Sequence, residues 1–261
     1  MTPSDANSRA SKAASPNALS ALRANLYRAV RRGTLLKSLV GNEPFHWVAP
    51  NPGIFEFGSS YGRWAVHVPS MSPSTTMMCF GLGQDITFEQ AVLQRFGCRV
   101  AGFDPTPASV AYIKALDPIP GLSLHPMALA DRDGSMEFRL PPADVADQVS
   151  ASASAAYEGS ANVTVPCLTL RSASAICHMP QPDIIKMDIE GAEYAVLNQA
   201  LDEGVLDGVS QLLVEFHHFL PGLRASQTRQ IMARLKASGF CIGWVGRTNH
   251  EYLFLRSRHR T

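Results

Sequence analysis

From residue 76 onward, short apolar runs alternate with stretches of helical period, and this rhythm constrains the fold more than any other feature of the chain. The runs TMMCF (76–80), CRVAGF (98–103), DIIKM (183–187) and SQLLVEF (210–216) have the apolar density of strands buried on both faces. Between them, 87–96, 107–116, 191–201 and 225–238 read as helices. Such alternation predicts βαβ units and a mostly parallel, doubly wound α/β sheet. The chain end breaks the rhythm, because FCIGWVG and EYLFLR, joined by RTNH, predict an antiparallel hairpin. LSLHPMAL, SMEFRL and VTVPCLTL are further strand segments around the turn DRDG.

Three regions follow. Residues 1–20 are rich in Ser, Ala and Asn without an apolar period, which predicts a disordered leader. Residues 21–74 read as an N-terminal helix and an irregular cap. The helix has Leu22, Leu26, Val30 and Leu35 beside Arg23, Arg28, Arg31 and Arg32; Pro44, Pro50, Pro52, Pro69 and Pro73 break the cap into a loop or short hairpin. Residues 75–261 form one cofactor-binding domain, and the Ser/Ala tract 149–162 is placed as a lid.

Charge and cysteine content narrow the function. The net formal charge is +1, but the first 40 residues carry seven Lys and Arg against Asp5 alone, so the remainder is acidic. An acidic main domain argues against nucleic-acid binding as the main role. No apolar run approaches the ~18 residues of a membrane span, and no signal core is present. Five cysteines without a C-x-x-C pair predict structural thiols, no metal cluster, and a reducing, cytoplasmic setting. An Arg- and Ser-rich leader leaves a mitochondrial address as the alternative.

The first candidate site is Cys79-Phe80-Gly81-Leu82-Gly83-Gln84-Asp85, directly after a strand. Glycines permit a sharp turn with N–H groups facing a ligand. Thr87-Phe88-Glu89-Gln90 fits a capping box that opens a helix there. Asp104 ends the next strand 21 residues beyond Gly83, the spacing at which a carboxylate reaches ribose hydroxyls. A turn-capping role within Asp104-Pro105-Thr106-Pro107 is compatible with that. A pyrophosphate fingerprint would need glycine where Ile86 stands, and Asp85 disfavours an anion at this turn. A cationic ligand with an amino-acid moiety, S-adenosylmethionine, fits better than a nicotinamide dinucleotide.

The second site is Asp183-Ile184-Ile185-Lys186-Met187-Asp188-Ile189-Glu190-Gly191-Ala192-Glu193. Two charges in a central strand are unusual, and Lys186 and Asp188, two apart, share a face. Mutual pairing explains them structurally. Asp188 also falls at the carboxyl end, where doubly wound sheets bind ligands. Glu190 and Glu193 favour the start of the next helix.

DIIKMDIEGAEYAVL resembles the signature of FkbM-type S-adenosylmethionine-dependent methyltransferases. CFGLGQDITFEQAV and GFDPTPASV resemble the first two motifs of that family and its methyltransferase-like relatives. PMALADRDG, VTVPCLTL and LLVEFH follow in the family's order, so the resemblance runs from about Thr75 to the C-terminus. It implies a Rossmann-like class I methyltransferase fold, with a seven-stranded, mostly parallel sheet and a C-terminal antiparallel hairpin. By the same resemblance Gly81 and Gly83, with Phe80, line the methionine half and Asp104, with Pro105, holds the ribose. Met127 and Ala128 border the adenine, and Asp188 stands near the sulfonium or the acceptor. Cys79 occupies a position that is acidic in many such enzymes, which moves the amino-group contact to Asp85.

The implied reaction is O-methylation of a small-molecule or sugar hydroxyl, which requires a base. Asp188, Glu190 and His217 are the candidate catalytic residues, with Glu215 nearby on the strand of LLVEFH. His217 and Asp188 lack firm metal-ligand spacing, so no metal site is assigned. A nicotinamide-dependent oxidoreductase and a non-catalytic interaction domain are the alternatives. The sequence does not indicate an acceptor or an oligomeric state.

Overall fold

The computed structural model describes residues 48–140 and 161–257, together with Ser38, Gly41, Glu43, Pro44 and His46. The leader, the body of the N-terminal helix and most of the Ser/Ala lid segment lie outside the described residues.

In chain order, β1 (Ile54–Phe57) and β2 (Trp64–His67) precede β3 (Thr76–Phe80), α1 (Thr87–Phe96), β4 (Arg99–Phe103), α2 (Pro107–Ala115) and β5 (Leu122–His125). Next come β6 (Ala128–Leu129), β7 (Gly134–Leu140), β8 (Ala161–Leu168) and α3 (Leu170–Ile176). The chain continues through β9 (Ile184–Met187), α4 (Glu193–Asp202), β10 (Gln211–Glu215), α5 (Ala225–Ala237), β11 (Phe240–Val245) and β12 (Glu251–Arg256).

The main sheet has the order β5-β4-β3-β9-β10-β12-β11. Its pairings are parallel from β5 to β10, and β12 runs antiparallel to both neighbours. This is the seven-stranded sheet that the family resemblance implies, with the mostly parallel order and terminal hairpin that the strand rhythm predicts. The chain order reverses between β3 and β9, so their carboxyl ends border the crevice where open α/β sheets take ligands.

Alternation along each strand divides the core between the two faces. Met78, Phe80, Ile185, Met187, Leu212 and Val214 pack with α4 and α5 residues on one side. Met77, Cys79, Val100, Ile184 and Leu213 pack on the other with α1 and with Trp64, Ala65 and Val66 of β2. The β1–β2 hairpin is bolted to the sheet: His67 N donates to Gln211 Oε1 (2.7 Å), and Gln211 Nε2 donates to His67 O (3.2 Å). The cap region therefore contains the short hairpin that was one of its two readings, packed into the same core.

Several local expectations are corrected. LSLHPMAL is not one strand. β5 lies in the main sheet, Pro126 offers no N–H to extend the ladder, and β6 joins a small sheet of order β6-β8-β7. VTVPCLTL stops as a strand at Leu168, and Thr169 caps the unread helix α3 by accepting from Ser172 N. The capping box before α1 is absent. Ile86 is the N-cap, Thr87 bonds Asp85, and Glu89 points into the core. Of the five free thiols, Cys79, Cys98 and Cys167 are buried, Cys177 is half-buried, and Cys241 is exposed, so the last is no core residue.

Candidate active site

β3 ends in Phe80, whose ring stacks on Phe103 at the end of β4 (centroids 4.7 Å apart). Gly81 N donates to Phe103 O (2.9 Å) and Asp188 N donates to Phe80 O (3.0 Å), which ties together the tips of β3, β4 and β9. Gly81 has φ +79°, and a Cβ there would lie 1.7 Å from the Asp188 carbonyl oxygen. The sequence places glycine here because the β9 tip occupies the space of a side chain.

A cavity of about 620 Å³ opens beside this junction. That is within the usual ~300–1,000 Å³ of small-molecule sites. Phe80, Gly81, Gly83, Asp85, Asp104, Pro105, Met127, Ala128, Asp188 and Glu190 all line it, as do Lys186, Glu89 and Glu215. Tyr61, Arg63 and Trp64 around the start of β2 and Trp244, Arg247 and Glu251 of the terminal hairpin complete the wall.

Two of the expected carboxylates are held by the turns they define. Asp104 Oδ2 accepts from Leu82 N (3.0 Å) and Gly83 N (2.9 Å); its Oδ1 accepts from Thr106 N (2.9 Å) and Thr106 Oγ1 (2.6 Å). It therefore fastens the glycine turn to β4 and caps its own turn. Asp85 accepts from Ser59 Oγ (2.5 Å), Thr87 N (3.0 Å) and Thr87 Oγ1 (2.6 Å). Burial alone would raise the Asp85 pKa, but these bonds and one from Gly62 N outweigh it and hold the carboxylate ionised below its usual range.

Lys186 does not neutralise Asp188 as its pairing partner. It points to the α1 side, where Nζ lies 3.4 Å from Glu89 Oε1 and donates to Gly81 O (2.9 Å). Burial alone would lower its pKa, but the charges of Glu89 and Asp188 outweigh that and raise it, so it stays cationic. Glu89, the third residue of α1, was not among the site residues named from the sequence. The readable signal was its register with Val92, Leu93 and Phe96, the apolar face of the helix. Removing one partner of a buried pair strands the other charge. Lys186→Met is therefore expected to cost about 3–5 kcal/mol in urea unfolding, with most of it regained in Glu89→Gln/Lys186→Met.

At the end of β9 the chain turns through Glu190, a non-glycine residue at φ +53°. Glu193, fully buried, staples this turn by accepting from Ile189 N (2.9 Å) and Gly191 N (3.0 Å). It also accepts from His217 Nδ1 (2.9 Å), which aims Nε2 at Asp188 Oδ1 (3.6 Å) and Glu190 Oε2 (3.5 Å). His217 is 3% exposed and sits behind the two carboxylates, outside the cavity wall. Burial alone would lower its pKa, but the bond and charge of Glu193, with Asp188 and Glu190, outweigh that and raise it to about 10. His217, expected as a candidate catalytic residue, thus lies behind the carboxylates that face the cavity, and the charges around it favour the imidazolium.

Burial raises Asp188 to about 6 against the opposing pull of Lys186 and His217. Burial and the Asp188 charge push Glu215 up to about 9, so near neutrality Glu215 is protonated. Asp188, Glu190 and His217 offer three donor atoms within 4.8 Å of one another, and Glu43, His218 and His250 form a second such group.

A methyl donor carrying a sulfonium and an amino-acid head suits a cavity with a glycine turn at one end and carboxylates along its wall. The methyltransferase FkbM domain matches residues 72–242. The chain belongs to the FkbM methyltransferase family. Over 157 residues it is 26% identical to methyltransferase-like protein 24 of Rattus norvegicus, a match covering 59% of this chain and 36% of that protein. The chain thus spans about a third of that relative's length. Its fold is similar to the Methanococcus jannaschii fibrillarin pre-rRNA processing protein, with TM-score 0.43 and 6% identity over 71% of this chain and 67% of that one. It is also similar to a geranyl diphosphate methyltransferase solved with GPP and sinefungin, with TM-score 0.37 and 10% identity over 72% and 73%. The residues around the cavity fit S-adenosylmethionine in size and charge. Among the described residues, no helix is long and apolar enough to cross a membrane.

Proposed function

We propose that this FkbM protein methylates a hydroxyl of a small molecule or sugar, with Asp188 as the base. The observation that carries the reading is Asp188 itself, a cavity-lining carboxylate at the β9 tip with a pKa near 6 and an imidazolium fixed behind it. When bound, S-adenosylmethionine supplies the methyl group, and the electron pair of the broken C–S bond stays on sulfur. Asp188 takes the hydroxyl proton as the new O–C bond forms and later passes it to solvent, so charge and atoms balance. Positioning carries much of the acceleration in such a displacement. Asp104 and Gly81 fix the donor end of the cavity, and Glu193 and His217 fix the acceptor end. Glu215, protonated, donates a hydrogen bond to an acceptor oxygen. A cytoplasmic site of action, with a free metabolite or glycan rather than nucleic acid as acceptor, completes the reading.

The pH profile follows from the same groups. Asp188 works only when ionised, so kcat/KM should rise as pH increases through about 6. It should fall from about pH 9 to 10, where Glu215 and His217 lose protons. Steady-state rates between pH 5 and about 10.5 check both limbs; a flat profile through pH 6 removes Asp188 as the base. The acceptor class is tested with methyl-labelled S-adenosylmethionine and a panel of hydroxylated metabolites and saccharides. Methyl ether products, identified by carbon NMR, support the proposal; label found only on nitrogen or carbon refutes it.

A further inference from the structure

We propose that Glu89 receives the α-ammonium of the methionine half of the methyl donor, replacing from helix α1 the strand-end acid that Cys79 lacks. The inference rests on the S-adenosylmethionine reading of the cavity and adds to it the residue that reads the amino acid. Three carboxylates surround the glycine-turn end of the cavity: Asp85, Glu89 and Asp104. Asp104 accepts four hydrogen bonds from Leu82, Gly83 and Thr106, and Asp85 accepts three from Ser59 and Thr87 and one from Gly62 N. Their lone pairs are committed to holding the turns.

Glu89 differs from both. It is 1% exposed, yet neither carboxylate oxygen has a hydrogen-bond donor among the described residues. The Lys186 ammonium is its nearest charge, 3.4 Å from Oε1, and Nζ donates its 2.9 Å hydrogen bond to the Gly81 carbonyl instead. A buried carboxylate left without donors costs free energy that a ligand N–H can recover, and an ammonium offers three. Cys79 lies one strand over from Lys186 in register, Lys186 reaches both Glu89 and the Gly81 carbonyl, and Glu89 acts directly on the Cys79 thiol, so Glu89 lies close to where a carboxylate at Cys79 would stand. Burial and the Glu89 charge push the Cys79 thiol well above its ordinary value, so it stays neutral and cannot answer an ammonium itself. The carboxylate has moved from the strand to the following helix.

The test is calorimetric and uses the whole chain. S-adenosylhomocysteine, its analogue with hydrogen in place of the α-amino group, and 5′-methylthioadenosine, which lacks the amino-acid half, are titrated into three proteins. These are the wild type, Glu89→Gln/Lys186→Met, which removes both buried charges together, and the same pair with Cys79→Asp added. In the wild type the deamino analogue should bind on the order of 10- to 100-fold more weakly than S-adenosylhomocysteine, the worth of a charged hydrogen bond. The double variant should lose that preference while weakening 5′-methylthioadenosine far less, since that ligand carries no ammonium for Glu89 to receive. Adding Cys79→Asp should restore it. Equal binding of the amino and deamino ligands by the wild type overturns the proposal, as does a preference that survives in the double variant. An equal loss for all ligands in the double variant also overturns it, because Glu89 would then be structural. A wild type that binds none of the three refutes the methyl-donor reading instead, so the two failures are distinct.

Discussion

Asp188→Asn is expected to depress turnover by about 10²-fold or more while leaving the melting temperature close to that of the wild type. The amide keeps the volume of the carboxylate and can still contact a substrate hydroxyl, but it cannot take the proton. The backbone of Asp188, which closes the β9 tip onto Phe80, is unaffected by the change. The purely structural account of this residue rested on its neutralising Lys186, and the structure assigns that ion pair to Glu89. Lys186 still acts on Asp188 through its charge, but the ion-pair contact at Asp188 is with His217 at 3.6 Å and its carboxylate lines the cavity. Single-turnover rates with a saturating acceptor separate the chemical step from binding. Full turnover in a normally stable Asp188→Asn protein would leave Glu190 and Glu215 as the groups facing the acceptor.

Gly81→Ala is expected to do more damage than any other methyl-sized change. The new Cβ would fall 1.7 Å from the carbonyl oxygen of Asp188, the residue after β9, and the residue would be held at φ +79°. The neighbour is backbone, so no rotamer change relieves the clash. Either β3 and β9 separate at their tips or the turn rearranges, at a cost of about 3 kcal/mol or more. The turn, Asp188 and the floor of the cavity move together, so S-adenosylhomocysteine binding should vanish from calorimetry even where a folded protein is recovered. An alanine variant with wild-type melting and affinity would show that the tight packing of Gly81 on Asp188 is not required.

The elements that bury both faces of the sheet were legible because a central parallel strand needs a near-continuous apolar run. TMMCF, CRVAGF, DIIKM and SQLLVEF have it, and all four form adjacent parallel strands. Smaller elements were obscured by local chemistry that reads two ways. The Ser/Ala composition of Leu170–Ile176 looks like loop until Thr169 is seen to cap it. LSLHPMAL looks like one strand because its apolar density hides the break at Pro126. At the site, the glycine turn, Asp104 and Asp188 were readable from spacing, and the structure brings them to one cavity. Partnership was not readable. Period-two alternation put Lys186 and Asp188 on one face, but only tertiary packing delivers Glu89 from α1 to Lys186 and Glu193 from α4 to His217. The raised pKa of His217 follows from three surrounding carboxylates that are distant from it in sequence and that its isolated position in LLVEFH does not reveal.

The central claim is that the crevice between β3 and β9 holds S-adenosylmethionine. Titration calorimetry of the intact protein with S-adenosylhomocysteine and, separately, with NAD tests it most directly. The account predicts saturable one-to-one binding of S-adenosylhomocysteine, abolished by Gly81→Ala, and no heat from NAD. Binding of NAD with no binding of S-adenosylhomocysteine would contradict it.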